Sequence, residues 1–349
     1  MRSALKATFA LLVSASMMMS TGAAVAADSF YKNKKINLTV GYGPGGGFDS
    51  YARLLGRHWG RNIAGKPKII VQNRPGASSL KAVQYLRRTA PKDGTAVVTF
   101  NPGQITRSQV LPNKKYAFDW RDFAWIGSIN RDISVCYLWA SRFKAKTLAE
   151  AAKVGTVNFG LTSAGSASYF NQSILKNIFG VQIKQVAGYK GSKTKQFAIE
   201  RGELDGDCGA WTSIPPNWLT EKKVNVLLRI APYRPSNMPT SIPSAIDATS
   251  DKDAKQIIQL LTAATQVGRP YITRKDVPAD RLKMLRVGFN ATMTDPAFLA
   301  EAKKQRRSIL PLTDKESVGV VNTVYDLPKS IINKTKKILI KRKKRNKKK

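Results

Sequence analysis

Residues 36–49 read Ile-Asn-Leu-Thr-Val-Gly-Tyr-Gly-Pro-Gly-Gly-Gly-Phe-Asp. Ile36–Gly41 alternates and is β-branched enough for a strand, and the glycine loop Gly43–Gly47 follows. From Asp49 to Trp59 the spacing turns helical, with Tyr51, Leu54, Leu55 and His58 on one face. Outward from this strand, loop and helix the rhythm continues. Lys68–Gln72 predicts a second strand, ended by the turn cluster Asn73-Arg74-Pro75-Gly76. Ser79–Thr89 predicts a helix with Leu80, Val83 and Leu86 inward, and Ala96–Phe100 a third strand. The order βαβαβ is that of a parallel sheet covered by helices, so the fold class is α/β.

The pattern then restarts. Ile133–Ala140 predicts a strand, and Thr147–Val154 a short helix whose Thr147 and Glu150 have capping-box spacing. Thr156–Phe159, Val181–Gln185 and Val224–Ile230 predict strands. Ala167–Phe179 and Lys193–Arg201 predict helices, the latter stopped by Gly202. Pro215-Pro216 and the run from Pro232 to Pro243 read as connections, and residues 256–310 are helix-rich. The chain has 349 residues, and length alone suggests two domains.

Composition narrows the function. Apolar residues make up 42% and charged residues 23%, but 59 Lys+Arg face 22 Asp+Glu, a net charge of +37. The single histidine, His58, excludes a His-rich metal site. It would have to serve any Ser-His-Asp or Cys-His engine, and its place beside Leu54 and Leu55 favours a structural role. Residues 1–26 read as a secretory leader: Arg2 and Lys6, an uncharged run from Ala7 to Met19, then Ala24-Val25-Ala26 as the cleavage signature. The apolar run is shorter than the roughly 20 residues that span a bilayer. An exported chain meets an oxidising compartment, where Cys136 and Cys208 could pair; two buried free thiols are the favoured reading. The last 16 residues, 334–349, hold 11 Lys+Arg and no acid. Such a run reads as a disordered tail, and Ile338-Leu339-Ile340 could close a helix before it.

Two loops could carry chemistry. Gly41, Gly43 and Gly46 fit G-x-G-x-x-G between a strand and a helix, the setting of a dinucleotide fingerprint. Glycines let backbone approach an anion, and helix N-terminal N–H groups point at it. No Asp or Glu lies between Asp49 and Asp93 to hold a ribose, although Arg74 could meet a 2′-phosphate. An exported NADP-binding oxidoreductase is therefore one alternative, and a glycine turn that only packs helix on strand is another. The second loop, Thr162–Ser166, repeats the strand–loop–helix setting and offers hydroxyls at Thr162, Ser163, Ser166 and Ser168. Two such loops suggest a ligand held between two lobes, beyond the carboxyl ends of the strands.

These residues also carry a resemblance. Tyr42-Gly43-Pro44-Gly45-Gly46-Gly47-Phe48-Asp49 with Ala52-Arg53-Leu54-Leu55 resembles the opening motif of the tripartite tricarboxylate transporter substrate-binding proteins, the TctC or Bug family. Val71-Gln72-Asn73-Arg74-Pro75-Gly76-Ala77, Ala90-Pro91-Lys92-Asp93-Gly94, the aromatic stretch from Tyr116 to Ile126, Gly160–Ser166, Tyr189-Lys190-Gly191, Gly202-Glu203-Leu204-Asp205, Arg234-Pro235 and Met238-Pro239-Thr240 follow in family order. The resemblance covers roughly residues 30–330. It implies a two-lobed periplasmic-binding-protein (Venus flytrap) fold, each lobe a mainly parallel sheet flanked by helices. Residues 27–128 plus 235–333 would form one lobe, 129–234 the other and 334–349 the tail. It implies a periplasmic receptor that captures a small carboxylate and delivers it to a membrane permease, with no catalysis and no cofactor. Carried over residue by residue, the ligand set is Tyr42, Gly45, Gly46, Gly47, Asp49, Ser78, Asn101, Ser163, Ala164, Gly165, Ser166, Ser168, Tyr189 and Asp205. Two stretches depart from the family: Tyr169 and Phe170 stand where a His is frequent, and Asn101-Pro102-Gly103-Gln104 replaces a small-residue run. The excess charge and the basic tail are not family features.

Several of these residues have plainer readings. Asp49 is placed to cap its helix. Asp205 and Asp207, flanking Gly206, read as a solvated turn or hinge. Trp211 and Trp218, among prolines, read as packing. For the tail, a solvated end ranks first, weak contact with anionic lipid second and phosphate binding third. No nucleic-acid motif is present, so no specific nucleic-acid partner is expected. A basic surface-associated protein with a vestigial cleft is the remaining alternative.

Overall fold

The computed structural model describes residues 30–339 apart from 113, 115–117, 132, 232–233 and 236–237. The leader, Tyr116 and the tail residues 340–349 lie outside the described residues.

The first lobe begins with β1 (Lys35–Val40), α1 (Gly47–His58), β2 (Lys68–Asn73), α2 (Leu80–Arg88), β3 (Ala96–Thr99), α3 (Gly103–Val110) and β4 (Phe123–Ser128). The chain crosses to β5 (Ser134–Trp139), α4 (Leu148–Ala151), β6 (Val157–Leu161), α5 (Ala167–Asn177), β7 (Ile183–Ala187), α6 (Ser192–Glu200), β8 (Gly206–Ala210), α7 (Pro216–Thr220) and β9 (Val224–Ile230). After α8 (Lys252–Ala263) it returns through β10 (Pro270–Arg274), α9 (Ala279–Thr294), α10 (Pro296–Lys304), β11 (Leu312–Thr313) and α11 (Asp314–Tyr325), and ends in α12 (Lys329–Leu339).

Two sheets result, in the orders β11-β4-β10-β3-β1-β2 and β7-β6-β8-β5-β9. In the first, β1 runs parallel to β2 and β3, while β10 enters antiparallel between β3 and β4. In the second, β6 runs parallel to β7 and β8, while β5 enters antiparallel between β8 and β9. Each sheet is thus mixed rather than mainly parallel: a parallel trio (β3-β1-β2, β7-β6-β8) is extended by antiparallel pairings through β10 or β5, the strand the chain enters on changing lobe, and β11 adds a further antiparallel edge to the first sheet. Apolar residues cover both faces of each sheet, as the buried Val/Ile/Leu runs require. Leu38, Val40, Val97 and Ile126 face α1, α9 and α10, whereas Val98, Phe100, Trp125 and Ile272 face α2 and α11. In the second sheet Cys136, Leu138, Val157 and Phe159 face α5 and α8, and Val135 and Tyr137 meet Trp211 and Trp218. Both tryptophans therefore pack.

Several expectations change. The glycine-rich stretch Gly206–Ala210 is not a solvated turn but an inner strand of the second sheet, with Asp207 only 3% exposed. Strand pairing sets Cys136 directly opposite Cys208, and the two form a disulfide rather than two free thiols. The 147/150 capping box is half made: Thr147 accepts from the Glu150 amide, but Glu150 accepts from Lys146. The full box lies at Thr313 and Glu316, opening α11. Residues 334–339, assigned to the tail, complete α12, whose Ile331, Ile332, Ile338 and Leu339 pack against the second lobe. Helix α8, within the segment assigned to the first lobe, likewise places Ile257, Ile258, Leu260 and Leu261 in the second lobe's core. Among the described residues no helix is long and apolar enough to cross a membrane.

Candidate functional site

Glycine opens α1, the first-lobe helix that meets the cleft. Gly45 has φ +76°, a left-handed backbone that L side chains rarely adopt. It lets the chain turn into α1 with Gly46, Gly47 and Phe48 against the second lobe. Asp49 fixes this turn rather than capping at the helix boundary, where Gly46 stands. Its carboxylate accepts from the Gly45 amide at 2.8 Å, from Asn73 at 2.8 Å and from Arg53 at 3.0 Å. Burial opposes its ionisation, but these hydrogen bonds outweigh burial and hold the carboxyl below the usual range.

Across the cleft, Ser166 caps α5 by accepting from the Tyr169 amide at 3.2 Å. Several bonds hold the lobes together. The Gly43 amide donates to the Lys190 carbonyl at 3.0 Å, and the Gly47 amide to Ser192 Oγ at 3.3 Å. Gln104 donates to the Gly165 carbonyl at 3.1 Å, and the Ala167 amide to Asn101 Oδ1 at 3.3 Å. Ser78 meets Thr162 and, at 2.7 Å, Ser163. It does so from an unusual backbone: Ala77, Ser78 and Ser79 all have positive φ, at 47°, 51° and 77°. Such strain persists where the surroundings over-determine it, commonly at ligand clamps.

Between the lobes lies a cavity of about 70 Å³. Tyr42, Gly46, Gly47, Phe48 and Asn101 line it from the first lobe, and Thr162, Ala167, Ser168 and Asn171 from the second loop and α5. Gly191, Ser192 and Lys195 contribute from α6 and its approach, Ser134 from β5, Cys208–Ala210 from β8, Ser213 from the loop beyond, and Arg269 from the crossing segment. Tyr42 stacks on Phe48 with ring centroids 4.9 Å apart, and its hydroxyl accepts from Asn101 at 2.7 Å. Burial raises the pKa of that hydroxyl. Arg269 is 1% exposed; its guanidinium lies 4.4 Å over Phe48, and its backbone carbonyl accepts from Ile129 where the two crossing segments meet.

Lys195 is 3% exposed, and its ammonium donates to both oxygens of Asp207, one at 2.6 Å, and to Ser168 Oγ at 3.3 Å. Burial raises the Asp207 pKa, opposed by Lys195 and the Cys208 amide. Asn171 is 1% exposed, and neither atom of its amide has a hydrogen-bond partner among the described residues.

Of the residues singled out in the sequence, Tyr42, Gly46, Gly47, Asn101 and Ser168 line this cavity. Gly45, Asp49 and Ser166 shape its loops from behind, and Ser78, Ser163 and Gly165 close the cleft beside it. Ala164 and Tyr189 are not on its wall. Asp205 accepts from the Asn158 amide and side chain and ties β6 to β8. Sequence reasoning missed Phe48, Lys195, Asn171, Ser192, Ser213 and Arg269. Lys195 and Asn171 carried a signal, a polar residue on the inward face of a helix opened by a small-residue loop. Arg269, within a helix-rich stretch, carried none. Among the described residues no group of His, Cys, Asp and Glu could hold a metal ion.

Two α/β lobes, a paired crossover and a cavity between facing helix N-termini are the architecture of a two-lobed solute-binding protein. The chain belongs to the tripartite tricarboxylate transporter family receptors, whose family model matches residues 57–307. It is 24% identical over 341 residues to a UPF0065 protein of Pseudomonas sp., covering 94% of this chain and 92% of that one. It is 28% identical over 204 residues to a UPF0065 protein of Bordetella pertussis, a match that spans 59% of the Bordetella chain and 57% of this one. Among solved structures, the periplasmic binding protein BugD superposes with a TM-score of 0.70 at 19% identity, over 89% of this chain and 98% of its own. MatC from Rhodopseudomonas palustris with bound malate gives 0.67 at 18% identity, over 88% and 99%. These likenesses bear on the fold.

Proposed function

We propose that this protein is a periplasmic receptor that captures a small carboxylate between its lobes and delivers it to a membrane permease, without catalysing a reaction. The observation that carries this reading is the cavity at the lobe interface. Its wall includes the buried guanidinium of Arg269 and the buried Lys195 ammonium, which is paired with Asp207, and it is closed by hydrogen bonds from the glycine loop to Lys190 and Ser192. A buried guanidinium on the wall favours an anion, because charge interactions strengthen as the local dielectric falls. Ligand contacts made to both lobes would stabilise the closed arrangement and present it to a permease. The neighbours with bound malate, and with adipate in a second Rhodopseudomonas palustris protein, have the ligand chemistry this reading calls for. The leader is in keeping with a periplasmic location, and the basic tail could add weak contact with anionic lipid.

The NADP-binding alternative finds little support. The amides of Gly43, Gly45 and Gly47 already donate to protein acceptors, and Arg74 stacks on Tyr85 at 4.3 Å. A cavity of about 70 Å³ is also far smaller than a dinucleotide needs.

The test is a thermal-shift screen of mono-, di- and tricarboxylates, with NADPH as a control. A bound ligand at 100 times its Kd adds about 2.7 kcal/mol to stability, so at least one carboxylate should raise the melting temperature by several degrees. A rise with NADPH alone would overturn the proposal, and no rise with any compound would favour the vestigial cleft.

A further inference from the structure

We infer that the ligand is a short 2-hydroxy carboxylate, and that Asn171 selects it by pairing with its carboxylate and hydroxyl together. The inference rests on the carboxylate reading above and goes beyond it.

Asn171 lies on the cavity wall and is 1% exposed, yet both its Oδ1 and Nδ2 lack a hydrogen-bond partner among the described residues. Buried amide atoms are nearly always paired, so an unpaired donor and acceptor together on a cavity wall point to a ligand. Both atoms are unpartnered among the described residues, so the amide offers one donor and one acceptor whichever way it is turned. The amide needs one acceptor and one donor side by side. A 2-hydroxy carboxylate offers that pair, its carboxylate oxygen accepting from Nδ2 and its hydroxyl donating to Oδ1. An unsubstituted carboxylate would leave Oδ1 unpaired.

Two further observations shape the ligand. The cavity, at about 70 Å³, holds roughly five water-sized volumes, which suits a molecule with a short chain. The charged side chains on its wall are Lys195 and Arg269 among the described residues, and the nearby carboxylate of Asp207 has both oxygens engaged by Lys195. A neutral hydroxyl therefore fits beside Asn171 better than an ammonium. Ser168, one helical turn before Asn171 on α5, is held by Lys195 at 3.3 Å, so the lysine's charge reaches the same face of α5.

The experiment measures affinities for matched sets: glycolate, acetate and glycine; lactate, propanoate and alanine; malate, succinate and aspartate. The full-length mature protein and Asn171→Leu are compared. Since the amide has no hydrogen-bond partner among the described residues, the variant should melt close to wild type without ligand. The inference predicts that wild type binds the hydroxy member of a set at least ten-fold more tightly than its unsubstituted and amino partners. Asn171→Leu should weaken both acids, because each loses the Nδ2 bond to its carboxylate, and should bind the hydroxy and unsubstituted members of a set within a few-fold of one another.

Equal binding of hydroxy and unsubstituted acids, preference for the amino acid, or a hydroxyl preference that survives in Asn171→Leu would each overturn the inference and leave the carboxylate reading standing. If no member of any set binds, this inference is overturned, and the carboxylate reading falls as well only if the wider screen of mono-, di- and tricarboxylates also gives no stabilisation.

Discussion

At the scale of single residues, the site is built around a lysine that the sequence did not mark. Lys195 and Asp207 are each no more than 3% exposed and satisfy one another. Removing one partner strands the other charge away from water, typically a loss of about 3–5 kcal/mol, whereas replacing both with apolar residues of similar volume is often near neutral. Asp207→Asn should therefore lower unfolding stability by about 3 kcal/mol, and Lys195→Met with Asp207→Leu should recover most of it, as read by urea denaturation. A single variant as stable as wild type would show that the pair does not hold its charges in the interior. Asp207 also shows where the sequence was silent. An acid between glycines has the local pattern of a solvated turn, and only pairing with β5 and β6 turns Gly206–Ala210 into a buried strand. The glycine loop was legible because its requirement is local: Gly45 needs a positive φ, and the helix begins two residues later. Arg269 was not legible, because its place on the wall depends on two crossing segments far apart in the chain.

At the scale of elements, the opening strands and most helices follow from periodicity, since β1–β3 with α1 and α2 bury continuous apolar faces, but the strand order, with β10 and β5 inserted antiparallel, does not. Ends drift where capping decides, as at α4, whose Glu150 bonds one residue before the expected cap. The cysteines pair because register does what spacing could not: antiparallel β5 and β8 set Cys136 opposite Cys208. The cross-link spans a sequence separation of 72 residues, for which the chain-entropy model gives about 4 kcal/mol. Unfolding in urea with and without reductant should therefore differ by about 2–4 kcal/mol in favour of the oxidised protein. Coincident curves, with the thiols shown to be free after reduction, would contradict a stabilising bridge. Because Cys208 also lines the cavity, the bridge fixes part of the site as well as the sheet.

At the scale of the whole molecule, the proposed function requires that two lobes close on a ligand, with α3 and α5 meeting at the seam. Gly103 tests this geometry. A Cβ at Gly103 would lie 2.6 Å from the Ala167 nitrogen and 3.0 Å from its Cα, both backbone atoms of the opposite lobe. Neither can move aside as a side-chain tip could, so Gly103→Val should hold the lobes apart without entering either core. A ligand that binds the closed arrangement loses affinity as that arrangement becomes rarer. The most direct measurement is calorimetric titration of the carboxylate found by the screen into wild type and Gly103→Val in parallel. Closure on the ligand predicts one site per chain in wild type and at least a roughly ten-fold weaker Kd in the variant. Equal affinities with both proteins folded would contradict the claim that the ligand is held by closure of the two lobes.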